Sequence, residues 1–228
     1  LQPFAHLETI EESFDRGARP APIPEGLPCG TLLSGRYRID ELLDAGGMGR
    51  VYRALDVPQK RPLALTVIRP EIAGDPVTLR RFKQEMLLAR SVSHPNVCRI
   101  FDLGHDDDRG VTYLTMELLP GETLSARIDR EGALAPEVAL PLIRQMADAL
   151  DTAHRAGIVH RDFKSPNVML VATEDGERAV VTDFGLAVTM EDSDRTEANP
   201  DQEARVVGTP AYMSPEQVQG QELGPASD

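Results

Sequence analysis

The sequence lacks the features that mark membrane and secreted proteins. Within its 228 residues, no apolar run approaches the roughly 18 residues that a membrane-spanning helix needs. No signal peptide is visible either. The two cysteines, Cys29 and Cys98, lie far apart in the chain and suggest no disulfide framework. These absences predict a cytoplasmic protein with no membrane segment in this chain.

Positive charge is also scarce. The chain has 24 Lys and Arg residues against 37 Asp and Glu residues, which gives a net charge of −13. Because this excess repels phosphate backbones, we expect no nucleic-acid partner. Only three of the basic residues are lysines, at positions 60, 83 and 164. None of them lies in the apolar stretch "PLALTVI" at residues 62–68.

The pattern along the chain predicts an α+β protein with two lobes. A proline-rich stretch at 19–30 indicates a linker, so residues 1–34 form an N-terminal segment and linker. Residues 35–117 contain five segments with strand character and one amphipathic helix that begins at Asp75-Pro76. The apolar stripe of this helix consists of Leu79, Phe82, Met86 and Ala89. Residues 118–228 begin with helical spacing. Pro136 opens a helix whose apolar residues follow this spacing, namely Leu142, Ile143, Met146, Ala147 and Leu150. The five strands and the helix are predicted at 37–43, 50–56, 62–68, 97–104, 111–118 and 75–92.

A glycine-rich turn joins the first two strands in "LLDAGGMGRVYRA", residues 42–54. Glycines allow backbone N–H groups to close over phosphates without obstruction by side chains. The same glycines would also suit an ordinary tight hairpin. A dinucleotide-binding fold requires a helix after the glycines, whereas a second strand follows here.

Three further motifs occur in a fixed order behind this hairpin. "HRDFKSPN" occupies 160–167, "DFG" occupies 183–185 and "GTPAYMSPE" occupies 208–216. Together with the glycine turn they resemble the protein kinase family, and "GGMG", "HRDFK" and "GTPAYMSPEQ" resemble its bacterial serine/threonine branch. The resemblance covers about residues 35–228. It implies a bilobal kinase-like fold with a five-stranded antiparallel N-lobe, an ATP cleft at the hinge and an incomplete, mainly helical C-lobe.

The resemblance also implies a role for the polar residues of the second and third motifs. Asp162 would accept the proton of the substrate hydroxyl, and Lys164 would touch the transferred phosphoryl group. Asn167 and Asp183 would hold Mg²⁺ against the phosphates of ATP. The alternative for Asp162 and Asp183 is that they are ordinary loop acids that cap helices or turns.

Other residues match the family's nucleotide-binding positions. The residues that would surround the adenine are Leu43, Val51, Ala64, Met116, Met169 and Thr182. Glu117 and Leu118 would form hydrogen bonds to the base through their backbone, and Glu85 would be the carboxylate of the small-lobe helix. Plain core packing for the apolar positions, and a surface position for Glu85, are the alternatives. The matched ATP-binding positions are Leu43, Gly46, Gly47, Gly49, Val51, Ala64, Glu85, Met116, Glu117, Leu118, Met169 and Thr182.

The loop between Asp183 and Glu216 offers hydroxyl groups for phosphorylation. The candidate phosphosites are Thr189, Ser193 and Thr196. Arg161 would receive such a phosphate.

Three departures from the family pattern bear on activity. Thr66 stands where the family has a phosphate-binding lysine, and Asp44 stands where its first loop glycine should be. A threonine carries no charge, and an aspartate near a polyphosphate is repulsive. The sequence stops at Asp228, so we expect a truncated C-lobe. Asp228 itself matches an acid that braces the backbone of the catalytic loop.

These observations predict a serine/threonine protein kinase-like domain that uses ATP and Mg²⁺ and acts on a protein substrate or partner. Its activity is expected to be impaired by Thr66, Asp44 and the truncation. Two alternatives stay open. One is a catalytically inactive pseudokinase that serves as a binding or scaffold module, and the other is a kinase fragment with no function of its own.

Overall fold

The computed structural model describes residues 26–46, 49–174, 176–184 and 210–228. The chain divides into two compact units. The first contains Leu1–Pro76 and Phe101–Leu118, and the second contains Val77–Ile100 and Leu119–Asp228. The domain bounds drawn from the sequence, at 34/35 and 117/118, remain predictions.

The first unit is built on a six-stranded sheet with the order β1-β2-β3-β4-β6-β5. Neighbouring strands run antiparallel from β1 through β4 and from β4 to β6. A four-residue helix, α1 (Pro70–Ala73), follows β4. The strands are β1 (Leu32–Leu33), β2 (Tyr37–Ala45), β3 (Gly49–Asp56), β4 (Arg61–Ile68), β5 (Ile100–Asp106) and β6 (Val111–Met116).

The sheet has one strand more than the five predicted from the sequence. The additional strand is β1, in which Leu32 pairs with Arg38 and Leu33 with Tyr37 of β2. A two-residue strand is too short to produce an alternating hydrophobic pattern, so β1 could not be predicted from the sequence.

Strand β4 has the two-sided burial that its alternation predicted. All six residues from Leu63 to Ile68 are buried. Leu63, Leu65 and Val67 join the hydrophobic core of the first unit. Since successive side chains of a strand point to opposite faces, the other three residues, Thr66 among them, face the opposite side.

The second unit contains most of the helices. Two of its strands form a hairpin in a three-stranded sheet with the order β7-β8-β9. Short 3₁₀ turns occur at Ser165–Asn167, Pro210–Tyr212 and Pro225–Ser227. The elements are α2 (Pro76–Ser91), β7 (Glu122–Thr123), α3 (Leu124–Glu131), α4 (Pro136–Arg155), β8 (Val168–Thr173), β9 (Gly176–Val181) and α5 (Pro215–Val218).

Helix α2 confirms the predicted helix with its apolar stripe. Its buried residues are those of the stripe together with one threonine, namely Thr78, Leu79, Phe82, Met86 and Ala89. The predicted fourth strand, in contrast, begins at Ile100 and not at Val97. Val97 pairs instead with Val181 of β9, and Cys98 N donates to Val181 O at 2.9 Å. Periodicity could not reveal this change of partner, because both pairings use extended backbone.

Helix α4 confirms the helix predicted after Pro136, and Pro141 lies inside it. Its predicted apolar stripe is wrong in part, because Ile143 is 51% exposed whereas Leu142 is buried. Leu142 packs with residues of β8 and β9 in the core of the second unit. Phe163 packs against the same core, and it lies between Asp162 and Lys164. This apolar contact holds the loop that follows α4 against the β8–β9 hairpin. In the part of the chain described here, no helix is both long and apolar enough to cross a bilayer.

Candidate catalytic site

The loop at 160–167, which the family resemblance makes the candidate catalytic loop, brings three of the predicted site residues together. Lys164 Nζ lies 2.8 Å from Asp162 Oδ2, and Asn167 Nδ2 lies 3.2 Å from the same oxygen. Asn167 Nδ2 also donates to the backbone oxygen of Asp162 at 2.8 Å. The carboxylate of Asp162 is therefore oriented by a cation and an amide, both from the same short loop.

The end of β9 is fixed to this loop through Asn167. Thr182 N donates to Asn167 O at 2.9 Å, and Thr182 Oγ1 donates to the same carbonyl at 3.2 Å. Asp183 follows directly and has a φ of 62°, in the left-handed region. The next residue, Phe184, is buried, and its ring lies 4.8 Å from that of His160. Asp183 is thus placed one residue from a backbone contact with the catalytic loop.

His160 is fully buried beneath the loop. Its Nε2 lies 2.8 Å from Thr182 O, and Asp162 N donates to its Nδ1 at 3.3 Å. Burial lowers the pKa of the His160 imidazole, although the Thr182 carbonyl and the charges of Asp228 and Asp162 oppose this effect. A neutral ring that is protonated on Nε2 satisfies both contacts.

Asp228 braces the backbone of the loop, as the family resemblance implied. Its Oδ2 accepts from His160 N at 2.6 Å, and its Oδ1 accepts from Arg161 N at 2.7 Å. His154 Nε2 of α4 lies 2.8 Å from Oδ2. The carboxylate therefore ties α4 and the catalytic loop to the end of the described chain.

Glu85 and Arg161 form an ion pair that the sequence did not predict. Arg161 Nη1 lies 3.3 Å from Glu85 Oε1, and both side chains are largely buried. From the sequence, Glu85 was expected to be a carboxylate of the nucleotide site, and Arg161 was expected to bind a phosphate on the loop between Asp183 and Glu216. The one available signal was the missing lysine at position 66, which removes the partner that the family provides for Glu85.

Thr66 lies on β4 between two neighbouring strands. It lies opposite Val51 of β3 and Leu114 of β6 and is 5% exposed. Ala64, two residues earlier, lies opposite Met116. Val51, Ala64, Thr66 and Met116 thus form one patch of the sheet in the first unit. Leu43, predicted to belong with them, is 47% exposed.

The glycine turn closes tightly against the end of β4. Gly46 N donates to Gly49 O at 3.0 Å. A Cβ on Gly49 would lie 1.8 Å from Val67 O, so only glycine fits there. Arg69 Nη2 donates to Gly46 O at 2.9 Å, a contact that no motif suggested. Asp44 is exposed, and its Oδ1 accepts from Ala45 N at 2.8 Å.

Other predicted positions are distributed between the units or lie outside the description. Glu117 and Leu118, just after β6, are half-buried. Met169 lies on β8 opposite Val180 and is also half-buried. Gly47 and the candidate phosphosites Thr189, Ser193 and Thr196 lie outside the described residues.

The arrangement of oxygen donors limits the kind of metal site that these residues could form. Among the described residues, no group of three or more His, Cys, Asp and Glu side chains could hold a metal ion. Asn167 keeps its side-chain oxygen available because its Nδ2 makes the contacts to Asp162. That oxygen and the carboxylate of Asp183 are hard donors, which suit Mg²⁺ completed by phosphate and water oxygens.

Several known proteins are similar to this chain in sequence. The protein kinase domain family model matches residues 37–228. The serine/threonine-protein kinase PknA of Mycobacterium tuberculosis is 37% identical over 202 residues, which cover 87% of this chain and 45% of PknA. PrkC of Bacillus subtilis is 38% identical over 191 residues, which cover 84% of this chain and 28% of PrkC.

A solved structure supports the same assignment. The crystal structure of the M. tuberculosis PknI kinase domain matches with a TM-score of 0.69 and 27% identity, over 89% of this chain and 71% of that chain. The present chain spans less than half the length of the curated relatives PknA and PrkC. The chain belongs to the protein kinase family, and its relatives place it in the bacterial serine/threonine branch.

Proposed function

We propose that this domain transfers the γ-phosphoryl group of ATP to serine or threonine hydroxyls of a protein, with low efficiency. The observation that carries the proposal is the environment of Asp162, whose carboxylate lies 2.8 Å from Lys164 Nζ and 3.2 Å from Asn167 Nδ2. A carboxylate held in this way can accept a hydroxyl proton without reorientation.

Lys164 and the metal-binding side chains complete the catalytic loop. The ammonium group of Lys164 lies next to the base, where it neutralises negative charge on the transferred phosphoryl group. Asn167 and Asp183 would hold Mg²⁺ through their oxygens, and the metal would neutralise charge on the phosphates. Phosphoryl transfer needs little covalent help from the protein, so these positioned charges account for the catalysis.

The sheet of the first unit provides the nucleotide contacts. Val51, Ala64 and Met116 lie side by side on β3, β4 and β6 and form an apolar surface for the adenine. The backbone of Glu117 and Leu118, directly after β6, bonds the base. The glycine turn closed by Gly46 and Gly49 presents backbone N–H groups to the phosphates.

The low efficiency follows from the charges near the phosphates. Thr66 is buried and uncharged, so position 66 supplies no cation. The three lysines of the chain lie elsewhere, in the turn before β4, on α2 and in the catalytic loop. Asp44 adds a negative charge at the glycine turn, although its exposure to water weakens the repulsion.

The test restores the missing cation. Thr66→Lys should raise the rate of phosphoryl transfer from radiolabelled ATP to a generic protein acceptor by about tenfold or more, since a lysine there binds the phosphates. Thr173→Lys, at an exposed threonine near the end of β8, adds the same charge elsewhere and should change nothing. Asp162→Asn in the Thr66→Lys background should abolish transfer and leave ATP affinity intact.

Two results would count against the proposal. Efficient transfer by the unaltered chain would show that Thr66 does not limit activity. Failure of the Thr66→Lys form to transfer phosphate at all would overturn the proposed phosphoryl transfer.

A second candidate function is a non-catalytic binding module. The ion pair between Glu85 and Arg161 favours this function. Each residue neutralises the charge of the other in a chain that has no lysine at position 66. Such a module would show a thermal shift with Mg·ATP, or bind a protein partner, with no phosphoryl transfer before or after the Thr66→Lys change.

A further inference from the structure

The backbone of the catalytic loop is strained immediately before Asp162. Arg161 has a φ of 68°, a conformation that non-glycine residues adopt at a cost of about 1–3 kcal/mol. Such a conformation persists only where surrounding contacts impose it. On the N-terminal side of Arg161 this contact comes from Asp228, because Arg161 N donates to Asp228 Oδ1 at 2.7 Å.

The contact on the other side comes from Gln217 of helix α5. Its Nε2 donates to Arg161 O at 2.6 Å. Its Oε1 accepts from Ser214 N at 2.9 Å, and its backbone N donates to Ser214 Oγ at 3.4 Å, which completes a capping box. Because Oε1 faces a donor, the amide has one orientation, and its N–H is directed at the Arg161 carbonyl.

The peptide bond between Arg161 and Asp162 is therefore held from both ends. Its oxygen accepts from Gln217, and its N–H donates to His160 Nδ1 at 3.3 Å. A change in ψ of Arg161 or φ of Asp162 would move the Asp162 carboxylate. We propose that Gln217 is a positioning residue that fixes the catalytic base through the Arg161 carbonyl. The catalytic consequence of this role rests on the kinase function proposed above.

Capping of α5 alone does not explain the side chain of Gln217. The capping box uses Oε1 and the backbone N–H, and a glutamate at this position would serve it equally well. The contact to Arg161 needs the amide N–H, which a glutamate lacks. Gln217→Glu therefore separates the two roles, because it keeps the cap and places a carboxylate oxygen against a carbonyl oxygen.

Hydrogen exchange measured by mass spectrometry tests the proposal without any need for activity. In Gln217→Glu, the amides of Arg161 and Asp162 should exchange about tenfold faster than in the unaltered chain, because the loop opens more often. Gln221→Glu is the matched control, since the Gln221 side chain bonds only the exposed Gln219 among the contacts described. The control should leave exchange at 158–164 unchanged, and both variants should melt within about 2 °C of the parent.

Kinetics in the Thr66→Lys background add a second readout. Gln217→Glu should lower kcat about tenfold and leave the KM for ATP unchanged, since the base is misplaced and the nucleotide contacts are not. Gln221→Glu should have no effect on either constant.

Three results would overturn the proposal. One is unchanged exchange at Arg161 and Asp162 in Gln217→Glu. Another is faster exchange across the whole second unit with a lower melting temperature, which would mean a general structural role. The last is a kcat equal to that of the parent. If no variant transfers phosphate, the proposed function fails, and the exchange result alone decides the positioning role.

Discussion

At the residue scale, the buried His160 makes the catalytic loop sensitive to acid. Burial lowers the pKa of its imidazole below the usual 6.5, so the folded state favours the neutral ring. The unfolded chain binds a proton more readily, and the stability that neutral His160 contributes is present above about pH 6.5 and is lost as the pH falls towards its folded pKa. Protonation on Nδ1 would also break the contact from Asp162 N.

This predicts a pH-dependent free energy of unfolding. Urea denaturation should give a lower free energy of unfolding at pH 5.5 than at pH 7.5. In His160→Gln the slope of stability against pH over this range should be smaller, because the titrating group is gone. An unchanged slope in that variant would assign the pH dependence to other groups.

Sequence spacing was enough to group the residues that are close along the chain. Asp162, Lys164 and Asn167 lie within six residues, so any loop conformation leaves them near one another. Sequence spacing could not predict the side-chain contacts of Arg161, because Glu85 is 76 positions away and Gln217 is 56 positions away. Neither partner follows from a local pattern, since each depends on how distant segments pack.

At the element scale, a half-buried ion pair joins the residue before β2 to the end of β3. Arg36 Nη2 lies 2.8 Å from Asp56 Oδ2, and the Asp56 side chain is 1% exposed. Burial opposes ionisation of Asp56, but hydrogen bonds from Arg36 and from Gln59 N outweigh it and hold the pKa of this carboxyl below its usual value. The pair therefore contributes stability above about pH 3.8, which is lost as the pH falls through the folded pKa.

Arg36→Gln should therefore destabilise the first unit at neutral pH. It leaves a buried carboxylate without its cation, and the expected loss is about 1–3 kcal/mol, less than for a fully buried pair because Arg36 is partly exposed. Arg38→Gln is the control, since Arg38 pairs with Asp40 on the surface and should cost less than about 1 kcal/mol. Equal losses in urea denaturation would contradict this account.

Strands of the first unit that are long enough to show a period were predicted from the sequence, whereas a two-residue strand and an isolated bridge were not. The alternation of 62–68 and the stripe of α2 both reappear as burial patterns. The two-residue β1 and the bridge between Val97 and Val181 do not, because neither has a periodic sequence of its own.

At the scale of the whole molecule, the net charge of −13 sets which partners are electrostatically accessible. We predict no saturable binding to duplex DNA at about 0.15 M salt and protein concentrations up to about 10 µM, since the excess of carboxylates repels the phosphate backbone. Fluorescence anisotropy of a labelled duplex measures this. A saturable rise that weakens with added salt would reveal a local basic surface and refute the prediction.

The sequence by itself determined the family, the longer strands of the first unit and the proposed catalytic-loop residues, because these depend on periodicity and on motifs within short stretches. It also determined that no lysine stands in β4. Only the tertiary structure decided that Glu85 pairs with Arg161, that Gln217 bonds the backbone carbonyl of Arg161, and that residues 96–98 join β9. These contacts bridge segments separated by tens of residues, and their geometry is set by the packing of the whole unit.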